Sequence, residues 1–188
     1  MQHGAFSKKL AVVLVCFLFI LAGLVVDQQS HASVLEQQVR ASIDTLAHSY
    51  RSLAEEEVFP YENSRILNQE QRRAVVRVRT THSASGNAQS IEDAVASVHA
   101  LQSALIAFVD LAGSGDSFVD AVSLASLRKT LGAQSPLRTQ IDAYNMSADA
   151  WNASQGSPFA VLRGQLLGQS DAPLPYVQAE GADTTIDG

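Results

Sequence analysis

Residues 10 to 26 hold only apolar side chains and Gly23, whereas from Leu35 onward apolar positions recur at helical intervals. The apolar run is just long enough to cross a hydrocarbon core as a helix. Lys8 and Lys9 precede it and the next basic residue is Arg40, so the positive-inside rule predicts a cytoplasmic amino terminus, with the chain beyond residue 27 facing outward. The competing reading is a cleaved signal peptide, because Ser30-His31-Ala32 before Ser33 is a small-x-small site. The run exceeds an ordinary secretory apolar region, and amphipathic periodicity resumes just past Ser33, so a retained anchor is favoured.

Leu35, Val39, Ile43, Leu46, Tyr50 and Leu53 are spaced by three or four, which predicts a first helix ending near Glu57 ahead of Pro60. A second helix is expected from Asn63 or Ser64 through Ile66, Leu67, Ala74, Val75 and Val78 towards Thr81. Ser90 followed by Asp93 is a capping arrangement for a third, whose face runs Ile91, Val95, Val98, Leu101, Leu105, Phe108 and Ala112 as far as Gly113-Ser114-Gly115. A fourth starts around Ser117, carries Phe118, Val122, Leu127 and Leu131, breaks or kinks at Gly132 and Pro136, and resumes through Leu137, Ile141, Tyr144, Ala148 and Trp151.

No strand pattern competes, so the expected fold class is all-α. An N-terminal transmembrane helix precedes an antiparallel four-helix bundle, and an irregular carboxy-terminal tail follows. The expected boundaries are 1–9 for a cytoplasmic amino terminus, 10–26 for the transmembrane helix, 27–155 for the bundle and 156–188 for a tail packing on or beside it.

Charge narrows the function. Of 13 basic and 19 acidic residues, only Lys8 and Lys9 lie before residue 27, so the remainder is distinctly acidic and nucleic-acid binding is disfavoured. The single cysteine, Cys16, excludes an intramolecular disulfide and a cysteine-rich metal site, and reads as a small buried hydrophobe. The histidines show neither His-x-x-x-His nor a nearby Glu-x-x-His spacing, so no metal or other cofactor is expected; His48 and His99 read as helix histidines rather than core ligands. Glu55-Glu56-Glu57 with Glu62 reads as a solvated helix end. Gly113-Ser114-Gly115-Asp116 lacks the lysine of a phosphate loop, and no Gly-x-Ser-x-Gly elbow occurs.

The charged feature of most interest is Arg65, Arg72 and Arg79, which recur every seven residues and would share one helical face, with Arg73 and Arg77 adjoining at i and i+4. Two readings stand: binding of anionic headgroups or an acidic partner, and pairing with acids on a neighbouring helix.

Tyr144-Asn145 and Trp151-Asn152 lie seven apart and are followed by Ser157-Pro158-Phe159 and by Pro173-Leu174-Pro175-Tyr176-Val177-Gln178-Ala179-Glu180. This resembles the LemA family, with its repeated Tyr-Asn pair, its Ser-Phe-Pro segment and its Pro-x-Pro-Tyr-Phe-x-Ala-Glu tail. Ser42-Ile43-Asp44, Val75 to Arg79 and Leu105 to Leu111 fall where that family has Ile-Asp, Val-x-x-Ala-Arg and Leu-Leu-Ala-Leu. The chain departs at Ser52 to Glu57, at Trp151 in place of the second Tyr, and at the inverted Pro158-Phe159, which marks a divergent member.

The resemblance implies a membrane-attached antiparallel bundle in a family associated with envelope proteases and stress functions, without an established catalytic residue. Tyr144, Asn145, Trp151, Asn152, Pro158, Pro175 and Tyr176 are then structural: the rings pack against the returning tail, and the two amides hydrogen-bond its irregular backbone. The expected protein is a non-enzymatic interaction or scaffold module of the bacterial cell envelope. It is held in the inner membrane by a single anchor and meets an envelope protein partner, a membrane protease among the candidates, with homo-oligomerisation open. The alternative is a small-ligand sensor or carrier with a pocket between the helices near Tyr144 and Trp151.

Overall fold

A computed structural model describes residues 3–114, 118–132, 135–156 and 172–178. The described chain is all-helical: α1 (His3–Glu57), a 3-10 turn (Phe59–Tyr61), α2 (Gln69–Ser85), α3 (Ile91–Gly113), α4 (Ala121–Leu131) and α5 (Pro136–Gln155). Two compact units separate, Met1–Gln37 with Ala150–Pro173 and Gln38–Asp149 with Leu174–Gly188.

In the first unit the apolar run lies within α1, which continues without interruption past residues 27–34. Among its described side chains Val15, Phe19, Ile20, Leu24 and Val26 are exposed. Ala32 is buried, and at the end of α5 Trp151 is half-buried.

The second unit holds most of the buried core. The α1 stripe delivers Val39, Ile43, Leu46, Tyr50 and Ala54 to the interior, while Leu35 and Leu53 are only half-buried. Val39, Ile43 and Leu46 each contribute about 1.5–3 kcal/mol when withdrawn from water. All seven apolar positions expected on α3 are buried. By length and composition α3 is also the helix, among the described residues, that is apolar enough to cross a membrane, but half of that window is buried inside the protein. Its apolarity is that of a core helix touched from several sides.

Local signals set the helix boundaries. Ser90 Oγ accepts from Asp93 N at 3.0 Å, and Glu92 and Asp93 place acids in the first turn of α3. At α2 the start falls later than the periodicity predicts, because Asn68 and Gln71 form a reciprocal capping box: Asn68 Oδ1 accepts from Gln71 N at 2.9 Å and Gln71 Oε1 accepts from Asn68 N at 2.8 Å. Ile66, which mimics a helical core position, is exposed in the preceding turn. Asn68→Ala is expected to lower stability by about 1 kcal/mol, measured by urea unfolding, while Asn68→Ser retains most of it.

Gly132 and Pro136 separate α4 from α5, giving the expected break rather than a bend within one helix. Asp120 caps α4 by accepting from Val122 N and Ser123 N, and its carboxylate also accepts from the Tyr61 hydroxyl at 3.2 Å. These backbone donors, Ser123 N foremost, hold the Asp120 carboxyl below its ordinary pKa. Leu124, Leu127 and Leu131 face inward, whereas Val122, expected on that stripe, is exposed in the first turn.

Candidate functional site

The chain reverses between α1 and α2, since Glu55 Oε1 meets His82 Nε2 at 2.9 Å and Arg51 approaches Gly86, one turn back on α1 and one turn on along α2. Gln71, Val75, Val78 and Ser85 form the buried side of α2. With 3.6 residues per turn, Arg72, Arg73, Val76, Arg77 and Thr80 fall opposite, and all are exposed.

The three arginines expected on one face do not act as a set. Arg65 lies in the turn before α2 and so is off the heptad. Arg79 donates to Glu62, and its guanidinium sits 5.1 Å from the centroid of Phe59, which itself meets His82 edge-on at 5.0 Å. Arg79 thus pairs with an acid of its own chain. Arg72 Nε donates to the Leu67 carbonyl at 3.1 Å, and the residue is otherwise exposed.

Arg73 and Arg77 differ, because among the described residues their side chains make no hydrogen bond or ion pair. Flanking the exposed Val76, they form with Arg72 a basic face carrying one apolar contact point. A guanidinium presents a planar fork of donors matched to carboxylate or phosphate, so this face suits an acidic surface.

A second constellation lies where the tail returns. Leu174 and Val177 are buried, Pro175 and Tyr176 exposed, and the segment 172–178 has no regular secondary structure of its own. Its backbone polar groups find side-chain partners instead. Asn145 Nδ2 donates to Val177 O and Val177 N donates to Asn145 Oδ1, both at 2.9 Å, so one side-chain amide serves Val177 as a neighbouring strand would.

Tyr144 is fully buried and its hydroxyl donates to Pro175 O at 2.8 Å. Burial, with a smaller contribution from the Glu92 carboxylate, pushes its pKa up to about 12. Tyr176 donates to Asp149 Oδ1 at 2.6 Å, and Gln178 N donates to His99 Nε2 at 3.2 Å. The last bond requires His99 Nε2 to be unprotonated.

Of the remaining expected site residues, Trp151 and Asn152 are half-buried on α5, with Trp151 O accepting from Ser154 Oγ at 2.7 Å. Pro158, with its neighbours Ser157 and Phe159, lies outside the described residues. Cys16 is exposed on α1 within the apolar run, like Val15, Phe19 and Ile20. Glu55 and Glu62 are not simply solvated, since they take His82 and Arg79. Among the described residues no group of three or more His, Cys, Asp or Glu is placed to hold a metal ion.

Sequence reasoning gave Arg73 and Arg77 a secondary place. The Asn68-x-x-Gln71 capping signature, which moves the helix start past Arg65, is what would have reordered the arginines. Comparison with family models, with curated proteins and with solved structures found no match.

Proposed function

We propose that this chain is a divergent LemA-like protein of the bacterial cell envelope, in which a single amino-terminal membrane helix carries an antiparallel four-helix bundle facing the periplasm or cell exterior. It works by non-enzymatic protein contact, as an interaction or scaffold module in envelope stress or proteolysis. The observation that carries this reading is the α2 face of Arg72, Arg73, Val76 and Arg77, positively charged and exposed on an otherwise acidic chain. Its partner on this reading is an envelope protein with an acidic surface.

Anchoring is supported by the exposed side chains of the apolar run, among which Phe19 is 75% exposed and Val26 66%. A band of that kind on a helix is covered by lipid or by other protein, and Lys8 and Lys9 before it favour the cytoplasmic amino terminus. The tail clamp on Tyr144 and Asn145 supports the family reading, because it gives a structural role to two of the residues that carry the resemblance.

The test combines crosslinking and affinity capture from membranes, using a carboxy-terminal tag, with protease accessibility of the tag in intact spheroplasts. An envelope protein recovered in stoichiometric amount, lost from Arg73→Glu/Arg77→Glu but retained by Arg79→Gln, is the expected result, with at least a tenfold drop in recovery for the double variant. A tag protected from protease would reverse the orientation. Equal recovery with the double variant would remove α2 from the function.

A further inference from the structure

Gln178 N donates to His99 Nε2 at 3.2 Å, so a backbone amide of the tail is met by an imidazole nitrogen that must present its lone pair. The other side chains that hold residues 175–177 are of different chemistry: a phenol on Pro175 O, a carboxamide on the Val177 backbone and a carboxylate on the Tyr176 hydroxyl. Carboxylates and phenols ordinarily titrate outside the interval from about pH 5.5 to about pH 7.5 and carboxamides do not titrate, whereas histidine changes charge within it. Of these groups, His99 is the one that a mild change of acidity reaches.

Protonation of Nε2 sets a second N–H against that of Gln178. The acceptor is lost and two donors oppose each other, so the released tail leaves His99 able to take the proton and the docked tail does not. Docking is thus fully present with His99 neutral and weakens as pH falls. The bond ties the tail to α3, while Tyr144, Asn145 and Asp149 tie it to α5. Gln178 also directly follows Val177, whose N–H and C=O are both held by Asn145.

The charges around His99 do not oppose its protonation. On α3 itself Glu92 and Asp110 stand seven residues before and eleven after it, on the same side of the helix, and α3 has no lysine or arginine. From α5 come Asp149, bonded to Tyr176, and Asp142, paired with Arg138 at 3.3 Å. On α2, which also packs on α3, Arg79 and His82 are taken by Glu62 and Glu55, and Arg72, Arg73 and Arg77 lie on the outward side. On α4, Lys129 is exposed and Arg128 lies beside Gly113, at the far end of α3.

We propose that His99 is a proton-operated catch on the carboxy-terminal tail. In mild acid it takes a proton, its bond to Gln178 breaks, and residues 174–178 leave α3 and α5, uncovering the Asn145 amide and the seat of Leu174 and Val177. The catch is separate from the α2 face and does not depend on what that face binds.

The experiment follows hydrogen exchange in the full-length protein, in nanodiscs of neutral lipid, at about pH 7.5 and about pH 5.5. Protection of each amide is taken relative to a free peptide spanning residues 170–180 at the same pH, which removes the intrinsic effect of acidity on exchange. In the parent chain, protection of the Val177 and Gln178 amides falls together by about tenfold on acidification, the size expected when one hydrogen bond is exchanged for an unmet donor. His99→Gln offers an amide oxygen to Gln178 N and does not titrate, so the fall is absent. His82→Gln alters a histidine paired with Glu55, away from the tail, and keeps the parent's fall. The proposal is overturned if Val177 protection in the parent does not fall, whether or not Gln178 alone responds, or if His99→Gln shows a fall of equal size. The parent measurement decides by itself should His99→Gln fold poorly.

Discussion

Phe108→Ala lowers the free energy of unfolding by about 3–5 kcal/mol, the range for removing a fully buried phenylalanine side chain and leaving a cavity. The ring is a meeting point as well as a filler. It lies 5.5 Å from Phe118 in an edge-to-face pair and 6.4 Å from Tyr61, and Tyr61 in turn stands edge-on to Phe118 at 6.2 Å. Pairs of this geometry add roughly 0.5–1.5 kcal/mol beyond area burial.

Three segments therefore converge on one side chain of α3: the turn after α1, α3 itself, and the approach to α4. Phe108→Leu keeps most of the volume and is expected to cost about half as much, by denaturant titration with both variants on the same baseline. A loss below about 1 kcal/mol for the alanine variant would mean that the cluster closes over the gap, and that the convergence is not what holds α4 in place.

Asn145→Ala comes next in magnitude. The substitution removes both hydrogen bonds to Val177 and leaves its amide and carbonyl without those partners, in a residue that is itself buried. Net hydrogen bonds contribute about 1 kcal/mol each and an unmet buried group costs about 1–3, so a loss of roughly 2–4 kcal/mol is expected, with residues 172–178 becoming cleavable by protease. Unchanged melting and protease resistance would show that burial of Leu174 and Val177 and the Tyr144 bond to Pro175 hold the tail without Asn145.

The neighbouring Tyr144 makes the same clamp sensitive to alkali. Its hydroxyl must be protonated to donate to Pro175 O, and burial raises its pKa from an ordinary 10.0 to about 12. The resulting stability is fully present below about pH 10, where the unfolded tyrosine also keeps its proton. It is lost as pH rises towards 12, because the unfolded chain ionises first. Tyr144→Phe should therefore be less stable than the parent at pH 8, by about 1 kcal/mol, yet show a flatter decline between pH 10 and 12. Parallel declines in the two proteins would assign the alkaline loss elsewhere.

Particular residues explain what could be read from sequence. On α3 the cap Ser90, the acids after it and a seven-position apolar face point to the same element, and agreement among independent local signals made its limits legible. Gly132 and Pro136 likewise announced the break before α5. Asn145 was legible as a tail-binding residue because an asparagine beside a buried aromatic, followed by a proline-rich segment, offers an amide where irregular backbone needs one.

The start of α2 was not, since Ile66 and Leu67 imitate helical spacing while Ile66 is in fact exposed. The five or six residues by which the helix starts late were enough to detach Arg65 from Arg72 and Arg79. The continuity of α1 across residues 27–34 went unread because that stretch, Asp27 to Val34, is polar rather than periodic, although it contains no glycine or proline to stop a helix. A cleft in the second unit, between α1, α4 and α5, is a different case. Glu57, Thr130 and Gln140 come from three helices, and no local pattern encodes which helices become neighbours.

The tail clamp also orders events in time. Its bonds reach back 27 to 32 positions to α5 and 79 positions to His99 on α3. They form only where α3 and α5 already stand side by side, so the entropy of closing these loops is surrendered before the tail contacts reward it. Docking of residues 172–178 is thus a late step, completed on a helical scaffold that has already formed. Asn145→Ala should accordingly speed unfolding and leave the folding rate nearly untouched, so that the tail acts as a latch on lifetime rather than as a guide to the fold.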